Sequence, residues 1–220
     1  MERNSWDNFY NDIPPEFYEN FIEPNKSTRA WFHKARYKRI QKWVNKNYNP
    51  GKIIVDIGCA SCAWNKEKLP VIGVDIHKSM LELAKTKKNI KKGILSDAYK
   101  IKLPDNSADI IILSEIIEHL ENPRQAIAEA ERILKPNGVM LITVPYDTPF
   151  SLWFYLFNIE CIILGYILNK PFYKKGGGHI QHFSPQSIRK MIRKTKLKII
   201  KQENMFRMTI FTTCKKLQEP

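Results

Sequence analysis

The chain has 220 residues, which is long enough for one α/β domain with a full hydrophobic core and short for two domains. Its four cysteines do not have the pattern of a disulfide-rich scaffold, and residues 1–7 lack the basic-then-apolar pattern of a secretory signal. We therefore expect a single domain, residues 1–220, in the cytoplasm.

The formal net charge of +14 is concentrated in two segments that lack acidic residues. Residues 24–55 contain nine Lys or Arg and residues 161–202 contain ten, so these segments carry the whole basic excess. Such segregation indicates an anionic partner or surface. The alternative is a lysine-rich surface that contacts only solvent.

The N-terminal part of the chain, residues 1–50, is predicted to be a cover segment followed by a basic helix. Residues 1–28 are rich in aromatic and turn-forming residues without a sustained period. From Thr28 to about Asn47, apolar residues recur at near-helical spacing with basic residues between them. This pattern predicts an amphipathic helix that ends before Pro50.

An apolar, β-branched stretch from Ile53 to Ile57 leads directly into small residues. This pattern predicts a strand buried on both faces, a tight turn and then a short helix, which is the first half of a βαβ unit. A second apolar stretch ends at Asp75, whose carboxylate can accept hydrogen bonds from both hydroxyls of a ribose. The pattern therefore indicates a ligand that contains a nucleoside.

Charge at the turn narrows the choice of this ligand. A dinucleotide-binding fold needs glycines so that the backbone can approach a pyrophosphate. Here Ala60 and Cys62 stand at two such positions, and Asp56 lies at the mouth of the turn. A carboxylate repels phosphate but suits a ligand that carries an ammonium and a sulfonium and no phosphate, as S-adenosylmethionine does.

Six motifs stand in order along the chain: Val55–Cys62, Gly73–Ile76, Ser96–Ala98, Leu103–Leu113, Glu115–Leu120 and Ile133–Ile142. Together they resemble the motifs of the class I S-adenosylmethionine-dependent methyltransferases, over roughly residues 50–145 and more weakly from His179 onward. The resemblance implies an α/β fold with a doubly wound, mostly parallel seven-stranded sheet of order 3-2-1-4-5-7-6. Only the last strand is expected to be antiparallel, with helices on both faces and S-adenosyl-L-methionine as cofactor.

The resemblance also implies which residues contact the cofactor. Asp97 falls where this family bonds the adenine amino group, and the structural alternative for it is a turn or helix-cap aspartate. The family usually has glycine at the positions of Ala60 and Cys62, so the loop departs from its pattern there. The implied cofactor-binding residues are Asp56, Gly58, Cys59, Ala60, Asp75, Ile76, Asp97, Ala98, Ser114 and Glu115.

The remaining elements are predicted from apolar periodicity and from capping residues. Asn122 and Ser184 are each followed by proline and predict two helix starts. The predicted helices are 77–87, 123–135 and 185–195, and the predicted strands are 93–96, 108–113, 139–144, 197–202 and 207–214.

A nineteen-residue apolar stretch, Phe150–Leu168, is nearly long enough to span a bilayer. We reject a span, because a single crossing would separate the last helix and two strands from the sheet that they complete. The stretch must be buried under the cover segment, lie in an interface or line a large apolar pocket. We interpret residues 146–178 as an insertion at the acceptor site, since this class of methyltransferase places one after the fifth strand.

Catalytic residues are harder to predict, because methyl transfer needs a base only when the acceptor must lose a proton. His119 matches a histidine that the family often has near the cofactor and acceptor, and His179 is expected to face the acceptor. His182 is expected to fix the turn into the following helix. No metal is predicted, since the paired histidines lack a third ligand and no second cysteine pair completes the C-x-x-C spacing of Cys59 and Cys62.

These observations favour a methyltransferase that acts on an apolar or lipid-like small molecule, at the cytoplasmic face of an anionic membrane. The main alternative is an RNA methyltransferase for tRNA or rRNA, because basic and aromatic residues could track phosphates and stack bases. A second alternative is a non-catalytic module that binds S-adenosylmethionine. The oligomeric state is left open.

Overall fold

A computed structural model of the chain describes residues 28–174, 176 and 179–218. The predicted aromatic cover segment before residue 28 lies outside the described residues. Within the described part of the chain, no helix is both long and apolar enough to cross a membrane.

A seven-stranded sheet of order β3-β2-β1-β4-β5-β7-β6 forms the centre of the fold. Strand β7 runs antiparallel to both of its neighbours, and the other pairings are parallel. The predicted sheet order and strand directions are confirmed. The strands are β1 Ile54–Ile57, β2 Val71–Asp75, β3 Lys92–Leu95, β4 Ala108–Ser114, β5 Leu134–Pro145, β6 Leu197–Met205 and β7 Thr209–Lys216.

Helices flank this sheet and begin where the capping residues predict. The side chain of Asn122 accepts a hydrogen bond from the amide of Gln125, and Ser184 forms a capping box with Ser187. The α-helices are α1 Thr28–Asn47, α2 Lys78–Thr86, α3 Pro123–Ile133, α4 Leu152–Glu160, α5 Pro171–Lys174 and α6 Pro185–Ile192. A 3₁₀ turn, Ile117–His119, follows β4, and a π-helix, Cys161–Ile167, continues α4.

Both faces of the sheet are buried because its central strands are continuously apolar. On one face, alternate residues such as Val55 and Ile111 pack with α3 and α6. On the other face, Ile54 and Ile110 pack with α2 and with α1, whose Ile40 is fully buried. The basic N-terminal helix is therefore part of the core.

The crossover after β1 differs from the prediction. Residues 58–70 form a series of turns instead of the expected short helix. Ala60, Cys62 and Lys68 have φ angles of 44°, 49° and 58°, and a right-handed helix cannot continue through such residues. The two positions at which the sequence lacks the family's glycines are thus positions that favour glycine.

The boundary between α3 and β5 also differs from the prediction. The helix ends at Ile133, and β5 begins at Leu134 instead of Val139. Leu134 pairs with Ala108 before a bulge in the ladder to β4, so tertiary pairing extends the strand through Asn137, whose φ is 63°. The last two strands each run a few residues beyond their predicted ends.

The strained loop gives a matched pair of substitutions. A left-handed backbone conformation destabilises the fold by about 1–2 kcal/mol at a non-glycine residue. A glycine lowers the free energy of unfolding by about 0.5–1 kcal/mol, because its unfolded chain has more conformational freedom. We expect Ala60→Gly to raise the free energy of unfolding by up to about 1.5 kcal/mol. Ala63→Gly is the control because Ala63 lacks a positive φ, and it should lower stability. Chemical denaturation measures both, and equal losses would contradict the strain argument.

Candidate active site

The loop after β1 is held against β2 by its backbone. The amides of Gly58 and Cys59 both donate to the carbonyl of Val74, at 2.8 and 3.1 Å. Gly58 has a φ of 67°, and a Cβ there would lie 2.6 Å from Cγ1 of Ile116. Glycine is therefore required here by both backbone conformation and space.

Asp56 is 2% exposed and lies behind this loop. Its Oδ2 accepts hydrogen bonds from Nε1 of Trp64 at 2.8 Å and from the thiol of Cys62 at 3.4 Å. Burial raises the pKa of Asp56 to about 7 despite these two bonds. The carboxyl thus organises the loop from inside, a function that the sequence did not indicate.

Asp75 holds the same loop from the end of β2. Its Oδ2 accepts from the amide of Ala60 at 2.8 Å, and its Oδ1 accepts from the amide of His77 at 2.9 Å. Burial raises the pKa of Asp75, although these backbone donors oppose the shift. Ile76 is exposed beside it. The predicted residues Gly58, Cys59, Ala60, Asp75 and Ile76 therefore lie together at the carboxyl edge of the sheet.

Asp97 lies two residues beyond Leu95, which pairs with Asp75 in the sheet. Its Oδ1 accepts from the amides of Tyr99 and Lys100, at 2.7 and 2.8 Å, and the residue is exposed. Ala98 is buried beneath it. The contacts of Asp97 are those of a turn aspartate, and its adenine-binding role stays a prediction.

Glu115, just after β4, forms a partly buried ion pair with α1. Its Oε2 lies 2.7 Å from Nη1 of Arg36, and its Oε1 accepts from the hydroxyl of Thr143 at 3.0 Å. Ser114 contacts the same hydroxyl at 3.0 Å. Glu115 has a φ of 53°, so this network holds it in a strained conformation. Cofactor binding by Ser114 and Glu115 stays a prediction.

The two predicted catalytic histidines meet next to this edge. The ring centroids of His119 and His179 are 5.1 Å apart. Glu118 precedes His119 in the 3₁₀ turn, and one of its side-chain oxygens lies within 4.8 Å of a ring nitrogen of each histidine. The amides of Ile180 and Gln181 both donate to the carbonyl of Glu118 at 3.0 Å, which fixes the segment after the insertion against the 3₁₀ turn. Burial, and then the charge of Glu115, raise the pKa of Glu118 well above its usual range.

Asp147, just after β5, connects His179 with His182. Its Oδ2 lies 2.8 Å from Nδ1 of His182 and 3.5 Å from Nδ1 of His179. Burial acts to raise the pKa of Asp147, but the two histidines lower it overall. The side chain of His182 is 65% exposed and bonds to a residue beside the turn, as expected for a structural residue.

An aromatic stack closes the site on the side of the insertion. Phe157 of α4 stacks on His179 with centroids 5.3 Å apart, Trp153 stacks on Phe157 at 5.0 Å, and Phe32 of α1 lies 6.0 Å from Trp153. The insertion and the N-terminal helix thus meet over the predicted catalytic histidines.

Comparisons with known proteins agree with this arrangement. Residues 55–142 match the family model described as a methyltransferase domain. Residues 55–142 therefore carry a methyltransferase domain, and the predicted resemblance to the class I S-adenosylmethionine-dependent methyltransferases is confirmed. The cofactor of this family is S-adenosyl-L-methionine.

Relatives of this methyltransferase domain have varied names. A ubiquinone biosynthesis O-methyltransferase from Rickettsia typhi is 30% identical over 62% of the chain and 58% of its own length. A malonyl-[acyl-carrier protein] O-methyltransferase from Serratia marcescens is 28% identical over 43% of the chain. The matched stretch covers only 39% of the Serratia protein and 48% of a relative from Mycolicibacterium smegmatis.

Solved structures share the fold at low sequence identity. A SAM-dependent methyltransferase from Thermotoga maritima has a TM-score of 0.65 and 18% identity, over 93% of this chain and 98% of that one. The [4+2]-cyclase SpnF also has a TM-score of 0.65, with 13% identity over 90% of this chain and 86% of that one. The fold alone therefore does not determine which reaction a member performs.

Sequence reasoning missed four residues that shape the methyltransferase site, namely Arg36, Trp64, Glu118 and Asp147. Glu118 lay within a recognised motif, yet its burial could not be deduced without the 3₁₀ turn. The others come from segments with no motif of their own.

The four cysteines are free, and burial raises the pKa values of Cys59 and Cys62 well above the usual range, so these thiols are inert at neutral pH.

Asp56 gives the methyltransferase domain a specific pH dependence. An unfolded aspartate titrates near pH 3.9, whereas the folded Asp56 has a pKa of about 7. Between these values the unfolded chain releases a proton that the folded chain keeps. This group's contribution to the free energy of unfolding therefore falls as the pH rises through this window, by at most about 1.4 kcal/mol per pH unit.

Asp56→Asn retains an oxygen for the indole of Trp64 but does not titrate. We expect its stability relative to the wild type to increase steadily from pH 4.5 to pH 7. Urea denaturation at four pH values in this range measures the difference. A constant difference would show that Asp56 is ionised in the folded protein throughout.

Proposed function

We propose that the protein transfers a methyl group from S-adenosylmethionine to an apolar, lipid-like small molecule at an anionic membrane surface. The observation that supports this proposal is the insertion, which packs on the predicted catalytic histidines through one face and exposes apolar side chains on the other. The names of some relatives, such as ubiquinone biosynthesis O-methyltransferase and demethylmenaquinone methyltransferase, agree with a quinone-type acceptor.

The outer face of the insertion consists of ten exposed large apolar residues. Tyr166 and Ile167 are 71% and 70% exposed, whereas Phe157 and Gly165 are buried. A stretch that only completed the core would bury most of these side chains. We call the set the outer apolar face; it comprises Phe150, Leu152, Tyr155, Leu156, Ile159, Ile162, Ile163, Tyr166, Ile167 and Leu168.

Basic residues lie next to the outer apolar face. Lys170 and Lys174 are exposed and directly follow it. Helix α1 is joined to the insertion by an ion pair of 2.8 Å between Arg29 and Glu160. Since buried apolar area and attraction to anionic lipid add, each lysine near a membrane surface could contribute about 1 kcal/mol to attachment.

The chain's own groups fit S-adenosylmethionine, which when bound supplies a methyl group on a positively charged sulfur. Asp75 holds the loop that would surround the ligand, and no dense set of glycine amides is present for a pyrophosphate. The aromatic stack from Phe32 to His179 lines the acceptor side. His119 and His179 are placed to orient an acceptor.

An RNA acceptor is the second candidate, because one face of α1 carries a row of exposed lysines at four-residue spacing. These are Lys34, Lys38, Lys42 and Lys46. Incubation of cell extract with labelled S-adenosylmethionine, followed by separation into lipid, RNA, protein and small-molecule fractions, distinguishes the two. We expect label in the lipid fraction, and label in RNA alone would favour the row of lysines.

Cofactor binding is tested at Asp75. We expect Asp75→Ala to weaken S-adenosylmethionine binding by about 1–3 kcal/mol, because ribose hydroxyls would lose a buried acceptor. Calorimetry measures the affinity, and circular dichroism checks the fold. Asp75→Asn retains one acceptor oxygen and should have an intermediate effect. No detectable binding by the folded wild type at millimolar ligand would refute the function itself.

Membrane attachment is tested by flotation with liposomes. We expect the wild type to bind anionic vesicles, less so at high salt, and Tyr166→Glu with Ile167→Glu to abolish binding without unfolding. Ile200→Glu with Leu217→Glu is the matched control, since these two residues are also exposed but lie outside the insertion. Failure of the wild type to float with either anionic or neutral vesicles would remove the support for a membrane surface.

A further inference from the structure

Three side chains beside the aromatic stack have the composition of a metal site. We propose that Glu118, His119 and His179 bind one divalent transition-metal ion at the acceptor side of the active site. The sequence argument against a metal was that the histidines of the segment after the insertion lack a third ligand. The fold pairs His179 with His119 instead, and Glu118 supplies the carboxylate.

The geometry requires only a small adjustment. One donor atom from each of the three residues lies within 4.8 Å of the other two, and Oε1 of Glu118 is 3.9 Å from Nε2 of His119. Donors bound to one ion at 2.0–2.2 Å in a tetrahedral arrangement are about 3.4 Å apart. Side-chain rotations that move the donor atoms by about an ångström therefore bring all three within bonding distance of one ion.

The burial of Glu118 and the lack of hydrogen bonds to its side chain, among the described residues, indicate that the site takes a ligand. Glu118 is 1% exposed, and neither of its carboxylate oxygens has a hydrogen-bond partner. A buried carboxylate without a partner is costly, and a bound cation would remove that cost. The guanidinium of Arg36 lies 2.7 Å from Glu115, its ion-pair partner, and acts on Glu118 through its charge without a hydrogen bond.

The surroundings hold the donors in place. His179 is fixed by the stacked ring of Phe157, and Oδ2 of Asp147 lies 3.5 Å from its Nδ1. Nδ1 of His179 has no hydrogen-bond partner among the described residues, so the carboxylate of Asp147 acts on this ring through its charge, and the stacking with Phe157 sets the position of the ring. The backbone bonds from Ile180 and Gln181 to Glu118 keep the two segments together.

The donor set indicates the kind of metal. Two imidazoles and one carboxylate suit Zn²⁺, Fe²⁺, Mn²⁺ or Co²⁺, whereas Ca²⁺ and Mg²⁺ prefer sites made only of oxygen. Three protein ligands leave coordination positions open for another molecule. The location between the cofactor edge and the insertion makes an acceptor oxygen the natural occupant.

The consequence for the reaction rests on the proposed function. A metal-bound hydroxyl of the acceptor releases its proton to solvent more readily, because the cation lowers its pKa. The resulting oxyanion forms a bond to the methyl carbon as the carbon–sulfur bond breaks, and the sulfur keeps the electron pair. The site therefore predicts transfer to oxygen rather than to carbon.

The test measures metal binding without S-adenosylmethionine or acceptor, so its outcome is independent of the methyltransferase activity. Tag-free, metal-stripped protein is titrated with Co²⁺ and followed by visible absorption, and bound Zn²⁺ is counted after dialysis. We expect one ion per chain and a higher melting temperature with metal. Absence of binding below about millimolar Co²⁺ would overturn the proposal.

Matched variants locate the ion. Glu118→Gln and His179→Asn should each weaken Co²⁺ binding by at least about 100-fold, more than the 10–100-fold typical of changes to outer partners. Glu121→Gln makes the same chemical change as Glu118→Gln at a nearby exposed residue and should bind Co²⁺ as the wild type does. Unchanged affinity in both site variants would place the ion elsewhere and overturn the assignment, even if one variant folds poorly.

Discussion

The partly buried ion pair between Arg36 and Glu115 joins the N-terminal helix to the carboxyl end of the central strand. Removal of Glu115 would leave the guanidinium of Arg36 without its ion-pair partner, and a buried charge without compensation is costly. Here the pair also fixes the strained backbone of Glu115, from which the 3₁₀ turn with Glu118 and His119 begins. The backbone conformation of Glu115, and with it the start of the turn, therefore depends on this contact.

The sheet and most helices could be predicted because local signals and global fold agree. Buried parallel strands have continuous apolar runs, and Asn122 and Ser184 mark helix starts with their caps. The helix after β1 was predicted wrongly, since the left-handed conformations of Ala60 and Cys62 are imposed by bonds to Asp75 and Asp56. No local preference of alanine or cysteine indicates such a conformation.

Prediction of the site was uneven for a related reason. The carboxylates at strand ends could be placed, because parallel strands bring their carboxyl ends to one edge. Arg36 could not, because its partner Glu115 is 79 residues away and the bond forms only after α1 has packed on the sheet. Trp64 could not, because its bond to Asp56 depends on the left-handed turns of the loop between them. Asp56 illustrates the limit, since its position was predicted while its main partners inside the loop were not.

The two-sided insertion has a consequence for how the protein behaves in the absence of a bilayer. A monomeric protein in water rarely exposes a contiguous apolar surface of more than a few hundred square ångströms. Two chains can cover their outer apolar faces by packing them together, so under the proposed function self-association would compete with the membrane for the same surface. Activity measured in solution would then depend on protein concentration and on detergent, because dimers formed in this way would hold the outer apolar face away from an apolar acceptor.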